Sequence, residues 1–185
     1  MALTESNMLE LGTKAPDFNL PDTTSDRVVS LEELKSDTAT VVMFLCNHCP
    51  YVLHVNEEIV RITGDYKDKG VSFIGISSND VVNYPQDGPD KMKTHAVEVG
   101  YDFPYLYDET QEVAKAYDAA CTPDFYIFDG DLKLAYRGRL DGSRPGNNLG
   151  LTGEDLRNAL DAVLTGAEVD AMQIPSAGCN IKWKK

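Results

Sequence analysis

Cys46-Asn47-His48-Cys49 sets two thiols three positions apart, immediately before Pro50. Across one helical turn that spacing brings two sulfurs into disulfide range. Proline suits the first turn of a helix, where its missing N–H leaves no bond unmade. The free N–H groups and the dipole at such an end favour an anion, and a thiolate is one. At least one of the two cysteines is therefore expected to ionise below the ordinary value of about 8.5. The resulting chemistry is thiol–disulfide exchange, in which one thiolate attacks a substrate disulfide and the other thiol resolves the mixed disulfide. Cys46, nearer the helix mouth and solvent, is expected to attack, and Cys49, one turn in, to resolve. A protonated His48 would favour the thiolate and make the pair more oxidising.

Two plainer readings compete. Cys46 and Cys49 could be a buried structural pair, although structural cysteines rarely fall where a strand turns into a helix. Cys46, His48, Cys49 and His54 could hold a metal. A structural zinc site usually takes four ligands, and no second CxxC or His pair accompanies these. Neither metal nor cofactor is expected. Cys121, two residues before Pro123, reads as a small buried residue ending a helix or as a third redox thiol. Cys179, in Gly178-Cys179-Asn180-Ile181-Lys182-Trp183, is either a mobile resolving thiol or an inert residue under a tail docked by Ile181 and Trp183.

The elements that must position these residues alternate between strand and helix. Asp17 to Leu20 and Arg27 to Leu31 read as short strands. Thr40 to Leu45 is a continuous apolar, β-branched run, the pattern of a buried central strand. Val52, Val55, Ile59, Ile62 and Tyr66 recur at helical spacing after Pro50, with Gly70 as the stop. Val71 to Ser77 predicts a second buried strand. Pro89 to Val99 predicts a helix with His95 on its solvent side, and Phe103 to Tyr107 a strand. Thr110 is expected to cap a helix through Tyr117. Pro123 to Phe128 and Leu132 to Arg139 form a hairpin around Asp129-Gly130. Thr152 is expected to cap a last helix that ends at Gly166. This order implies an α/β fold with a central mixed sheet flanked by helices on both faces, an N-terminal extension and an inserted helix–strand. The expected organisation is one domain over 1–166 and a docked tail over 167–185.

A chain of 185 residues with a formal net charge of -13 would be repelled by a phosphate backbone or an anionic membrane surface. Nucleic acid and membrane are therefore not expected partners. No apolar run approaches the roughly 20 residues that cross a bilayer. Met1 to Glu10 lacks the basic start and apolar stretch of a secretory signal. Four cysteines are too few for a disulfide scaffold in a chain of this size. A cytoplasmic location is expected.

Gly12-Thr13-Lys14-Ala15-Pro16-Asp17-Phe18-Asn19-Leu20, the Cys46–Cys49 turn and Thr122-Pro123 before an apolar strand together resemble the thioredoxin-like superfamily. The closer likeness is to its redoxin branch, related to alkyl hydroperoxide reductase and thiol-specific antioxidant proteins. The resemblance covers nearly the whole chain up to about Gly166 and leaves out Cys179. It implies a cis Pro123 facing the disulfide, with the Thr122 backbone free to pair with an extended substrate segment. It implies a disulfide-bearing protein, a small thiol or a peroxide as substrate, and a cellular dithiol as reductant. The chain departs from thioredoxins, with Leu45 before the first cysteine and Asn47-His48 between the two. In the P-x-x-x-T-x-x-C pattern of peroxiredoxins, Cys49 takes the place of the peroxidatic cysteine, but Cys46 replaces the Thr and Val42 the leading Pro. Arg137 or Arg139 could then stabilise the thiolate. The first expectation is a dithiol–disulfide oxidoreductase. The alternatives are a thiol peroxidase, with Cys49 peroxidatic and Cys46, Cys121 or Cys179 resolving, and a non-enzymatic peptide-binding module of the same fold.

Overall fold

The computed structural model describes residues 3–185, so the expected domain start at residue 1 lies outside the described residues. The elements in chain order are β1 (Leu3–Glu5), β2 (Asn19–Asp22), β3 (Arg27–Ser30), α1 (Leu31–Leu34), β4 (Ala39–Phe44), α2 (Pro50–Tyr66), β5 (Val71–Ser77), α3 (Pro89–Val99), β6 (Tyr105–Tyr107), α4 (Glu112–Ala116), β7 (Cys121–Thr122), β8 (Asp124–Asp129), β9 (Leu134–Gly138), α5 (Glu154–Thr165) and β10 (Ala177–Asn180).

β4 is buried along its whole length. It pairs in parallel with β5 and antiparallel with β8, which makes it the centre of a seven-stranded mixed sheet ordered β3-β2-β6-β5-β4-β8-β9 among the described residues. Successive side chains of a strand point to opposite faces. Val41 and Met43 accordingly pack with Val52, Val55, Ile59 and Ile62 of α2, Met92 of α3 and Leu156 of α5. Val42 and Phe44 pack on the other side with Phe18, Leu31, Ala114 and Tyr117. Helices thus cover both faces, and the fold is thioredoxin-like. The covered faces explain why β4 reads as an unbroken apolar run. No helix among the described residues is long and apolar enough to cross a membrane.

Several boundaries differ from the sequence expectations for local reasons. The strand expected to reach Leu31 ends at Ser30, which opens α1 through a capping box with Glu33. The strand expected from Pro123 is broken there, because proline cannot donate to the ladder, and β7 and β8 flank it. Thr110 is not the cap of α4; Gln111 holds that place in a left-handed conformation. Gly153, not Thr152, is the N-cap of α5, although the Thr152 hydroxyl accepts from the Glu154 N–H (3.3 Å). The carboxylate of Asp141 holds the approach to the helix by accepting from the N–H groups of Thr152 (2.7 Å) and Gly153 (2.6 Å). His95 is half-buried against the edge of Tyr101 rather than turned to solvent.

The largest departure is at the C-terminus. Residues 177–180 form β10, which lies between β1 and β7 in a separate three-stranded antiparallel sheet. Its alternation splits the tail between the two cores, Cys179 into the α2 side and Ile181 into the α4 side. Ile181 is 1% exposed, whereas Trp183, expected to dock beside it, is 40% exposed. Truncation of a buried isoleucine costs about 2–5 kcal/mol. Ile181→Ala should lower unfolding free energy in denaturant by that amount, and Trp183→Ala by much less.

Candidate active site

β4 delivers the chain to Leu45, whose N–H donates to the Ile76 carbonyl (2.9 Å) and fixes the strand end. The backbone then turns through Cys46 to Cys49, which is the N-cap of α2 with Pro50 in the first turn. The Cys49 carbonyl accepts from Val52 (3.0 Å) and Leu53 (2.9 Å). Both sulfurs are buried, Cys46 at 1% and Cys49 at 0% exposure. The expectation that Cys46 lies toward solvent is therefore not met. Thr122 forms the facing wall, and its bond to Pro123 is cis. Its hydroxyl lies 3.4 Å from Cys46 Sγ and its carbonyl oxygen 3.4 Å from Cys49 Sγ. The third side is closed by β10, whose Cys179 Sγ lies 2.6 Å from Cys49 Sγ.

These contacts sort the thiols. The Cys46 S–H donates to Cys49, and with the Cys179 S–H and the N–H groups of Val52 and Cys179 it lowers the Cys49 thiol to about 5 against the opposing effect of burial. The same bond, burial and the nearby charge of Asp87 push Cys46 well above the usual thiol range. Burial, then its bond to Cys49, pushes Cys179 up to about 12. These contacts favour the anion on Cys49 over Cys46, the sulfur that the sequence suggests as the attacking one. The largest cause is the bond from the Cys46 thiol, to which the Cys179 thiol and the N–H groups of Val52, at the start of α2, and Cys179 add.

His48 does not serve the Cys49 thiolate as expected. Its Nδ1 lies 2.6 Å from Asp87 Oδ2, and its ring stacks on Tyr84 at 5.7 Å. Asp87, fully buried, is the hub of the turn. It accepts from the Asn47 N–H (2.8 Å) and from Asn79 Nδ2 (2.8 Å). Asn79 Oδ1 in turn accepts from the Lys182 N–H (2.8 Å), so one carboxylate links the Cys46–Cys49 turn to the C-terminal tail. Neither Asp87 nor Asn79 stands in a motif, so sequence alone assigns neither a place in the site. Cys46, His48 and Asp87 offer ligand atoms within 4.8 Å of one another. Both Asp87 oxygens are already bonded, and a metal there would have to displace those donors.

The remaining candidates lie apart from the sulfur of Cys49. Cys121 contacts the Pro123 and Ser176 carbonyls, and burial pushes its thiol strongly up. Arg137 is buried against Asp124 at 3.0 Å, and Arg139 bonds Asp155 at 2.6 Å, so neither arginine serves the thiolate. His54 shares a bond with Ser143 at 2.8 Å. A cleft of about 420 Å³ opens beside the cis loop, bordered by Tyr51, Pro123, Phe125, Arg139 and Ala177.

Two outcomes test this electrostatic arrangement. A thiol that ionises near 5 folded and near 9 unfolded stabilises the fold fully above pH 9, and loses that contribution as pH falls through about 5. The stability difference between wild type and Cys49→Ser should therefore shrink by a few kcal/mol between pH 8 and pH 4 in urea titrations. Asp87→Asn removes a negative charge beside Cys46 and should bring its ionisation down, as read from the pH dependence of its Cβ chemical shift. Asp87→Glu should keep it high.

Comparison with known proteins shows the family to which the chain belongs. The family model described as the AhpC/TSA family matches residues 11–137. A crystal structure of an uncharacterized conserved protein from Geobacillus kaustophilus superposes with a TM-score of 0.98 at 62% identity, covering 100% of this chain and 97% of that one. A Mycobacterium tuberculosis protein provisionally named a peroxiredoxin is 29% identical over 117 residues, 63% of this chain and 69% of its own length. The thioredoxin domain of a thiol-disulfide oxidoreductase from Bacteroides vulgatus shares the fold, with a TM-score of 0.60 at 19% identity over 74% of this chain and 91% of that one. The family match spans more than half of the sequence and takes in both the Gly12–Leu20 opening and the Cys46–Cys49 turn, and on that ground the chain belongs to the AhpC/TSA family.

Proposed function

We propose that this protein is a thiol–disulfide oxidoreductase whose Cys46–Cys49 pair works with Cys49 as the attacking thiolate and Cys46 as the resolving thiol. The observation that carries this reading is the position of Cys49 Sγ at the α2 N-cap, where thiol and N–H donors lower it to about 5 while Cys46 is held protonated beside it. The Cys49 thiolate attacks one sulfur of a substrate disulfide and expels the other as a thiolate. Cys46 then attacks Cys49 Sγ, its proton passing to the expelled thiolate, and the second substrate sulfur leaves. The protein ends as a Cys46–Cys49 disulfide and the substrate as a dithiol. A cellular dithiol restores the starting state. No cofactor enters the cycle.

Thr122 and Pro123 form the wall against which the substrate sulfur is received, and the cleft beside Pro123 takes the flanking residues. Pro50 starts α2 without requiring a bond partner, and His48 positions the turn through Asp87. The acidic surface favours a protein or small-molecule disulfide over nucleic acid or membrane. The reading takes residues 1–166 as the catalytic domain, 167–185 as a tail that completes it, and the reducing cytoplasm as its setting.

A thiol peroxidase is the second reading. It is favoured because the low-lying thiol is Cys49, the residue in the peroxidatic place, and because the M. tuberculosis relative carries a peroxiredoxin name. The engagement of Arg137 and Arg139 elsewhere speaks against it.

Single serine variants separate the readings. Cys49→Ser should lose disulfide reduction by on the order of 10³-fold or more, as when a nucleophile is removed. Cys46→Ser should stop after one turnover, with Cys49 held in a disulfide that Cys46 can no longer resolve. Peroxide consumption that survives in Cys46→Ser and disappears in Cys49→Ser would favour the peroxidase. A wild type that neither reduces disulfides nor consumes peroxide would leave only a binding module.

A further inference from the structure

β10 occupies the backbone edge that an extended substrate would use. It runs antiparallel to β7, with Cys179 opposite Thr122 and Asn180 opposite Cys121. That register turns the Cys179 sulfur toward Cys49 and leaves Cys121 outside the pair. The separation of 2.6 Å is roughly half an ångström beyond a covalent disulfide. The close approach depends on the residue before the cysteine. A Cβ at Gly178 would overlap the Thr122 carbonyl oxygen and crowd Pro123 Cδ, so only glycine lets this strand lie against the loop. The strand is tied on both sides. Ser6 N–H donates to the Ser176 carbonyl (2.8 Å), Ile181 N–H to the Ala120 carbonyl (3.0 Å) and Lys182 N–H to Asn79 (2.8 Å).

We propose that β10 is a tethered pseudosubstrate: on oxidation Cys179 forms a disulfide with Cys49 in the place of a substrate mixed disulfide, and the strand must leave β7 before an external cysteine-bearing polypeptide docks on the same edge. This rests on Cys49 being the attacking thiolate. With a small disulfide as oxidant, the Cys49 thiolate bonds one sulfur and expels the other as a thiolate. Cys179 then attacks Cys49 Sγ, expels the second thiolate and gives its proton to one of the two leaving groups. Two protein thiols are oxidised and one disulfide is reduced. Cys46 can next attack Cys49 Sγ, break the bond to Cys179 and pass its proton there. That exchange moves the disulfide to Cys46–Cys49 with no change in electron count and frees β10. The strand also specifies a substrate class, namely extended segments with glycine immediately before the reactive cysteine.

The test uses the full chain with one equivalent of oxidised glutathione and mass-spectrometric mapping of cross-linked peptides. In Cys46→Ser, where the exchange step is removed, the Cys49–Cys179 link should dominate. In wild type it should appear first and give way to Cys46–Cys49. A second arm follows reduction of a peptide disulfide containing Gly-Cys-Asn. Gly178→Val, which forces the strand off β7 and withdraws the Cys179 donors from Cys49, should slow reduction of oxidised glutathione. The peptide, whose own strand returns comparable donors, should be slowed less, so that the peptide-to-glutathione rate ratio rises severalfold. An unchanged ratio would count against the pseudosubstrate role. Should Gly178→Val fail to fold, the mapping of Cys46→Ser decides alone. If wild type reduces disulfides yet Cys179 stays free, or pairs with Cys121, in Cys46→Ser, the pseudosubstrate role is overturned and the oxidoreductase reading stands. If wild type reduces no disulfide and Cys49 forms no link at all, both are overturned.

Discussion

A buried sulfur anion needs donors, and the arrangement around Cys49 is organised to supply them without a neighbouring cation. Desolvation alone would hold this thiol protonated. The opposing effect comes from the Cys46 and Cys179 S–H groups and from the N–H groups of Val52 and Cys179. One of these four donors comes from the turn after β4, one from the first turn of α2, and two from a strand about 130 residues later in the chain. The anion is most favoured when all of these segments are in place. Cys46 can donate only while it keeps its proton, which ties the state of Cys49 to the charge of Asp87. The chemistry of the pair is therefore a property of the assembled fold and not of the four-residue motif.

The sheet makes that assembly possible. β4, closed on both edges and both faces, fixes the direction in which the chain enters the turn, and β8 beside it fixes the loop carrying Thr122 and Pro123. The pseudosubstrate strand is then held against that loop from outside the main sheet. Asn79 and Asp87 connect it to the turn in a chain of three hydrogen bonds: Lys182 N–H to Asn79, Asn79 to Asp87, and Asn47 N–H to Asp87. Displacement of the tail would withdraw two donors from Cys49 and disturb the hub that keeps Cys46 neutral. Docking of a substrate strand would return a comparable set.

Much of this was legible in the sequence because it rests on local patterns. The apolar runs of β4 and β5, the period of α2 and the proline after Cys49 determine the strand-to-helix turn and its two thiols. Thr122-Pro123 was readable through resemblance, and the structure does bring it to both sulfurs. What could not be read depends on distance. Which thiol carries the charge is decided by donors from three separate segments, so position along the helix alone pointed to Cys46. Asp87 and Asn79 act through single long-range bonds and carry no spacing signal. Cys179 was seen as a candidate, but nothing local shows that Gly178 permits an approach to Thr122. His48, adjacent to Cys49 in sequence, faces Asp87 because the turn directs its ring away from the helix start.

The claim on which the rest depends is that Cys49 alone among the four cysteines is ionised at neutral pH. Selective ¹³C labelling of cysteine Cβ in the reduced wild-type protein, followed by NMR across pH, reports each thiol separately. The account predicts one resonance, assigned to Cys49, that titrates near pH 5, with Cys46, Cys121 and Cys179 unchanged through pH 8. A Cys49 signal that stays in its thiol position up to pH 8, or a Cys46 signal that titrates before it, would contradict the account.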